Sequence, residues 1–116
     1  IYTHPEFSSV GHTEKSLNKE NITYKIGKFP FSVNGRARTI GQTVGFVKIL
    51  TDARTDQILG AQILGADAGV MIAQITTAMG FLASAEDIAR ICHAHPTYSE
   101  AIKEASWAAY HRALHL

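Results

Sequence analysis

Two runs rich in β-branched and apolar residues, GFVKIL at 45–50 and QILGAQIL at 57–64, flank the polar hexamer TDARTD. Runs of that length bounded by turn residues predict strands, and two so close along the chain predict an antiparallel hairpin with a loop longer than the tightest type. Gly60, inside the second run, predicts a bulge or the close approach of another backbone. The rest of the chain has to pack around this hairpin.

Upstream, 22–26 alternate, with Ile22, Tyr24 and Ile26 on one face and Thr23 and Lys25 on the other, which predicts a half-buried strand. The polar segment 13–20 predicts a short surface helix or turn. VNGRARTIGQT, after Pro30, reads as a loop with room for one helical turn. From Asp67 the period changes. Met71, Ile75, Ala78, Met79 and Leu82 follow helical spacing, while Val70, Ile72 and Phe81 add apolar area on other sides, more than one sheet face covers. Ser84 followed by Asp87 predicts a capping box and a short helix to about Ile91. The last helix is expected from about Thr97 onward. One stripe carries Ile102, Ala105, Ala109 and Ala113, a second Trp107, Tyr110 and Leu114, and the second stripe calls for cover from another subunit or domain. Strands first and helices afterwards give an α+β class: an antiparallel β-sheet with flanking helices.

At 116 residues the chain is long enough for one core, and no linker or repeat divides it. Its net charge is +1, with no polybasic run, so nucleic acid and anionic membrane are not expected partners. The apolar stretches at 68–73 and 78–85 fall short of the roughly 20 residues that span a bilayer, and the chain reads as soluble. A single cysteine, Cys92, precludes an internal disulfide and fits a reducing compartment. The chain opens on Ile1 without a secretory pattern, and a fragment or processed product is expected.

LGADAGVM sits between a predicted strand and a helix, where a phosphate-cradling turn would lie, but it lacks the lysine of a P-loop and the dinucleotide fingerprint. Packing or capping roles for Gly65 and Gly69 are expected instead. Cys92, His93 and His95 offer zinc-type donors, yet His4, His12, His111 and His115 provide no companion spacing. No metal is expected, and a buried thiol and a hydrogen-bonded imidazole are the commoner fates.

The densest chemistry is ICHAHPTYSEAIKEA, 91–105. Thr97 and Glu100 form T-x-x-E, a capping box in which the Thr97 hydroxyl would accept from the Glu100 N–H and the Glu100 carboxylate from the Thr97 N–H. A second reading uses His95, held by Pro96 just ahead of the helix. Glu100, one turn in, would pair with the imidazole, fix its tautomer and stabilise its protonated form, making a general acid/base. The two readings compete for one carboxylate. Nothing else in the chain completes an active site.

ICHAHPTYSEAIKEASWAA strongly resembles the C-terminal signature of the dihydrolipoamide dehydrogenase family. IYTHPE with VGHTE, NGRARTIGQTVGFVKIL, ILGAQILGADAGVMI and SAEDIARICHAHPT follow the family pattern in order and spacing over the whole chain. Glutathione and trypanothione reductases share the His-Pro-Thr and the Glu but resemble the chain less elsewhere; mercuric reductases end in a cysteine pair that is absent here. Tyr98 departs from the leucine frequent in the family. The resemblance implies one C-terminal dimerisation domain over 1–116, with the FAD and NAD domains absent, forming a homodimer through its C-terminal helices and sheet. It implies that His95 takes a proton from dihydrolipoamide across the dimer, that Glu100 orients it, that His93 lines the dithiol path, and that His95 and Pro96 lie against the cofactor. Electrons would pass through FAD to NAD+, the fragment alone would be inactive, and lipoyl domains of 2-oxo acid dehydrogenase complexes would be partners, in a bacterial cytoplasm or a mitochondrial matrix. The resemblance favours the acid/base reading of Glu100 over the cap.

Overall fold

Four strands form one antiparallel sheet in the computed structural model, which describes residues 1–111: β1 (Glu6–Gly11), β2 (Tyr24–Pro30), β3 (Phe46–Asp52) and β4 (Ile58–Gly65), in the spatial order β1-β4-β3-β2. The helices are α1 (Glu14–Lys19), α2 (Gly35–Thr39), α3 (Ala68–Gly80), α4 (Ala85–Ala89) and α5 (Glu100–His111), and the class is α+β as expected. The central pair is the hairpin of β3 and β4, with Val47 opposite Ile63 and Ile49 opposite Ala61. Its loop turns because the Asp52 carboxylate accepts from the backbone N–H groups of Arg54 and Thr55 at 2.8 and 2.9 Å. The Thr55 and Arg54 bonds hold the Asp52 carboxyl below its ordinary pKa.

Side chains alternate across the sheet. One face carries Val47, Ile49, Ala61 and Ile63 into the main core, where they meet Met71 and Ile75 of α3, Ile88 of α4 and Ala101, Ile102 and Ala105 of α5. Fully burying a side chain the size of isoleucine contributes about 1.5–3 kcal/mol, so Ile49, Ile63, Ile75 and Ile102 form the energetic centre. Helix α3 lies over β1 and β4, α5 over β2 and β3, and α4 against α5. The opposite face is covered in part by α1, whose Leu17 is fully buried, as is Leu50 on β3.

Two glycines permit these contacts. A Cβ on Gly27 would lie 2.0 Å from the Ala105 carbonyl oxygen and 2.4 Å from the Ala109 nitrogen, so α5 rests directly on the β2 backbone. On the other face a Cβ on Gly60 would lie 2.1 Å from the His12 carbonyl oxygen, which bears out the close approach expected there. The strand predicted over 22–26 is displaced along the chain. The strand begins at Tyr24 and runs on to Pro30, and Ile26 points away from α5 and is 39% exposed. The core side of β2 is set by the missing side chain of Gly27 rather than by the isoleucines.

Helix α1 and the Ser84–Asp87 capping box of α4 form where the sequence predicts them. In α3, Met71 and Ile75 are buried, but Leu82 lies past the helix end with φ +58° and is exposed. Val70 and Phe81 are also exposed, so the apolar surplus of this helix faces outward. Helix α5 starts at Glu100 rather than Thr97. Ile102, Ala105 and Ala109 are fully buried, and Trp107 is 47% exposed, as the two-stripe reading expects. Ala113, Leu114 and His115 lie outside the described residues. No described helix is long and apolar enough to cross a membrane.

Candidate functional site

The segment between α4 and α5 brings the sequence-predicted residues to one end of the domain. His95 Nδ1 lies 2.9 and 3.0 Å from the two carboxylate oxygens of Glu100. A carboxylate only accepts, so Nδ1 carries the proton, and in the neutral ring the Nε2 lone pair is left as the basic position. The His95 side chain is 76% exposed and that of Glu100 27%. The imidazole is thus open on the side away from its carboxylate.

Glu100 Oε1 also accepts from the Thr97 backbone N–H at 2.9 Å. The cap and the pair were expected to exclude one another, yet a single carboxylate serves both, because its oxygens have lone pairs enough for each donor. The other half of the expected capping box is absent. The Thr97 hydroxyl donates to the Ala94 carbonyl at 2.8 Å instead of accepting from Glu100 N–H, because the chain turns back through His95 and Pro96 and presents that carbonyl. Partial burial raises the Glu100 carboxyl, but the Thr97 N–H and the hydrogen bond and charge of His95, with a smaller contribution from His93, outweigh it and hold the group below its ordinary pKa.

His93 is placed by α3. Its Nε2 lies 2.8 Å from Gln74 Nε2 and its Nδ1 3.0 Å from the Ile91 carbonyl oxygen. The carbonyl fixes the proton on Nδ1, leaving Nε2 to accept from the Gln74 amide. Cys92, expected to be buried, is exposed. Both nitrogens of His93 are engaged within the protein, and no group of three or more His, Cys, Asp or Glu side chains gathers in metal-binding geometry among the described residues. The turn before α3 fits the packing and capping reading: a Cβ on Gly65 would lie 2.5 Å from the Phe31 ring, and the Gly69 N–H is bonded to Glu6 at 2.9 Å.

No sequence pattern marks the residues that flank the pair. A groove of about 180 Å³ beside it is lined by Phe29, Val33, Asn34, Gly35 and Glu104 together with His95 and Glu100. Asn34 caps α2 with its side-chain oxygen on the Ala37 N–H at 2.9 Å. The only sequence signal for it was the residue type, an asparagine ahead of a short helix-competent run. Tyr98, the departure from the family pattern, packs edge-on against Phe31 at 5.7 Å, and its largely buried hydroxyl has no partner within the described residues.

The family described as pyridine nucleotide-disulphide oxidoreductase, dimerisation domain, matches residues 1–106. Dihydrolipoyl dehydrogenase 1, mitochondrial, of Arabidopsis thaliana is 53% identical over 100% of this chain and 23% of its own length. The human mitochondrial dihydrolipoyl dehydrogenase is 56% identical over 94% of this chain and 21% of its own length. Among solved structures, the HOCl-induced flavoprotein disulfide reductase RclA of Escherichia coli superposes with a TM-score of 0.87 at 25% identity, covering 92% of this chain and 25% of that one. The chain therefore spans less than a quarter of the length of these curated relatives. A match over nearly all of its described residues, joined to identity above one half with dihydrolipoyl dehydrogenases, establishes that this chain belongs to the pyridine nucleotide-disulphide oxidoreductase dimerisation domain family.

Proposed function

We propose that this chain is the interface domain of a dihydrolipoamide dehydrogenase and that His95 is its contribution to catalysis, a base delivered in trans to the partner subunit's active site. The observation that carries the reading is the bond of His95 Nδ1 to both oxygens of Glu100, which leaves Nε2 on an exposed ring. A thiol of ordinary pKa, about 8.5, is mostly protonated at neutral pH, and the thiolate is the nucleophile. His95 Nε2 would take the S–H proton of dihydrolipoamide, and the thiolate would attack a disulfide held elsewhere in the full-length protein. Glu100 would keep the ring in the reactive tautomer and stabilise the imidazolium that forms. His93, with both nitrogens engaged, would act as a fixed wall of the dithiol path.

Gly65, packed on Phe31, and Gly69, whose N–H is bonded to Glu6, are taken as packing and capping residues. FAD and NAD+, if held by further domains, would supply the electron acceptors, with His95 and Pro96 at their edge. The exposed Val70, Phe81, Leu82 and Trp107 support a homodimer in which a second copy covers them. Lipoyl domains would be the protein partners. The mitochondrial names of the relatives support a matrix enzyme, and a bacterial cytoplasm suits the same chemistry.

The test is His95→Gln in the full-length protein carrying this segment. Reduction of NAD+ by dihydrolipoamide should fall by about 100- to 10,000-fold with the flavin spectrum retained; activity near that of the unmodified protein refutes the reading. Activity confined to a different disulfide substrate would assign the domain to a sister reductase. A protein that dimerises with neither flavin nor activity would leave a self-association module, the reading favoured by the exposed apolar side chains alone.

A further inference from the structure

We infer that Asn34 is a positioning residue for the His95–Glu100 pair, acting through Thr97; the inference rests on the acid/base reading of that pair. Asn34 is 3% exposed, and its one carboxamide joins two elements far apart in sequence. Its side-chain oxygen accepts from the Ala37 N–H at 2.9 Å and caps α2, while its Nδ2 donates to the Thr97 carbonyl at 3.1 Å.

Thr97 is bound at three points. Its carbonyl accepts from Asn34, its hydroxyl donates to the Ala94 carbonyl, and its N–H donates to the Glu100 carboxylate that holds His95. Asn34 therefore fixes a residue whose N–H orients the carboxylate, and the carboxylate orients the ring. The start of α2 also runs beside the imidazole, since a Cβ on Gly35 would lie 3.8 Å from His95 Cε1. A buried donor–acceptor bond in this place sets the angle at which an otherwise exposed histidine is presented, and proton transfer is sensitive to that geometry.

The cap and the tether are separable. Asn34→Ser keeps an oxygen able to cap the Ala37 N–H, but its side chain is too short to reach the Thr97 carbonyl. The experiment is a double-mutant cycle in the full-length flavoprotein, reading kcat/KM for dihydrolipoamide across pH in the unmodified protein, Asn34→Ser, His95→Gln and the double variant. Asn34→Ser should lose about tenfold with flavin content and dimer mass retained, and should add no further loss on the His95→Gln background.

An equal loss on both backgrounds would show a merely structural role and overturn the inference, as would no loss in Asn34→Ser while His95→Gln is inactive. If His95→Gln itself is near normal, the acid/base reading falls first and takes the inference with it. Asn34→Asp provides an independent arm if the serine variant fails to fold. It keeps shape and cap while setting an acceptor against the Thr97 carbonyl, and its loss must likewise depend on His95; a loss independent of His95 overturns the inference.

Discussion

Substituting Gly27 by alanine tests how the fold positions the site. Strand propensity alone favours the change, since glycine inside a strand is less stable than alanine by roughly 0.5–1 kcal/mol. The packing opposes it. The new Cβ would sit 2.0 Å from the Ala105 carbonyl oxygen and 2.4 Å from the Ala109 nitrogen. Carbon contacts settle near 3.5 Å, so about 1.5 Å has to be found between strand and helix. Both obstacles are backbone atoms of α5 and cannot swing aside, which puts the cost at the upper end of overpacking, about 3 kcal/mol. The net is about 2 kcal/mol of destabilisation, or a Tm lower by roughly 8 °C for a chain of this size. Because Glu100 is the first residue of α5, the same displacement should loosen its bonds to His95. Thermal and urea unfolding measure the first effect. Gly80→Ala, where an added Cβ meets nothing within 4 Å, is the control and should be neutral or slightly stabilising. A Gly27→Ala variant within about 0.5 kcal/mol of the unmodified chain would refute the seating of α5 on β2.

Other consequences are equally specific. Leu17→Ala empties a fully buried site under α1 and should cost about 2–4 kcal/mol by urea unfolding; a cost near zero would mean that α1 does not cover that face. Ser84→Ala removes the oxygen that caps the Asp87 N–H and should cost about 1 kcal/mol, read in the same melts. The Glu100 carboxyl has a folded-state pKa below its ordinary 4.5, so the stability it contributes is fully present above that value and is lost as pH falls through the lower folded value. Glu100→Gln should flatten that acid-side dependence, and an unchanged pH–stability curve would contradict the assignment. In the full-length protein the same variant keeps an acceptor for the Thr97 N–H but removes the charge opposite His95, and dihydrolipoamide oxidation should fall about tenfold to a hundredfold with flavin retained.

Much of this architecture is legible in the sequence where one residue pattern meets one partner. The hairpin of β3 and β4 follows from two unbroken β-branched runs, and the α4 cap from Ser84 and Asp87. Strand β1 gave no signal because EFSSVG is a half-polar edge segment: Ser8 reaches the Ala68 carbonyl at 2.8 Å, and only pairing with β4 makes it a strand. The core side of β2 has no hydrophobic signature because Gly27 marks it by lacking a side chain, which no hydrophobic pattern registers. At the site, His95 and Glu100 were found from spacing and resemblance, and the structure brings them together. Their competition with the helix cap was a false choice, since counting one residue to one role ignores the acceptor capacity of a carboxylate. Asn34 was out of reach because its bond to the Thr97 carbonyl spans 63 positions and involves a backbone atom, which carries no sequence identity.

Removal of the thiol proton by His95 Nε2 can be isolated from the later electron transfers. Full-length protein and its His95→Gln variant would be mixed rapidly with dihydrolipoamide in the absence of NAD+, and flavin reduction followed in the visible spectrum across pH. Reduction should be slowed at least about a hundredfold in the variant at neutral pH, and raising the pH towards the thiol's own value of about 8.5 should partly restore it, because the thiolate then forms without a base. Equal rates for the two proteins at neutral pH would rule out His95 as that base, and His95 with Glu100 would then be only the start of a helix.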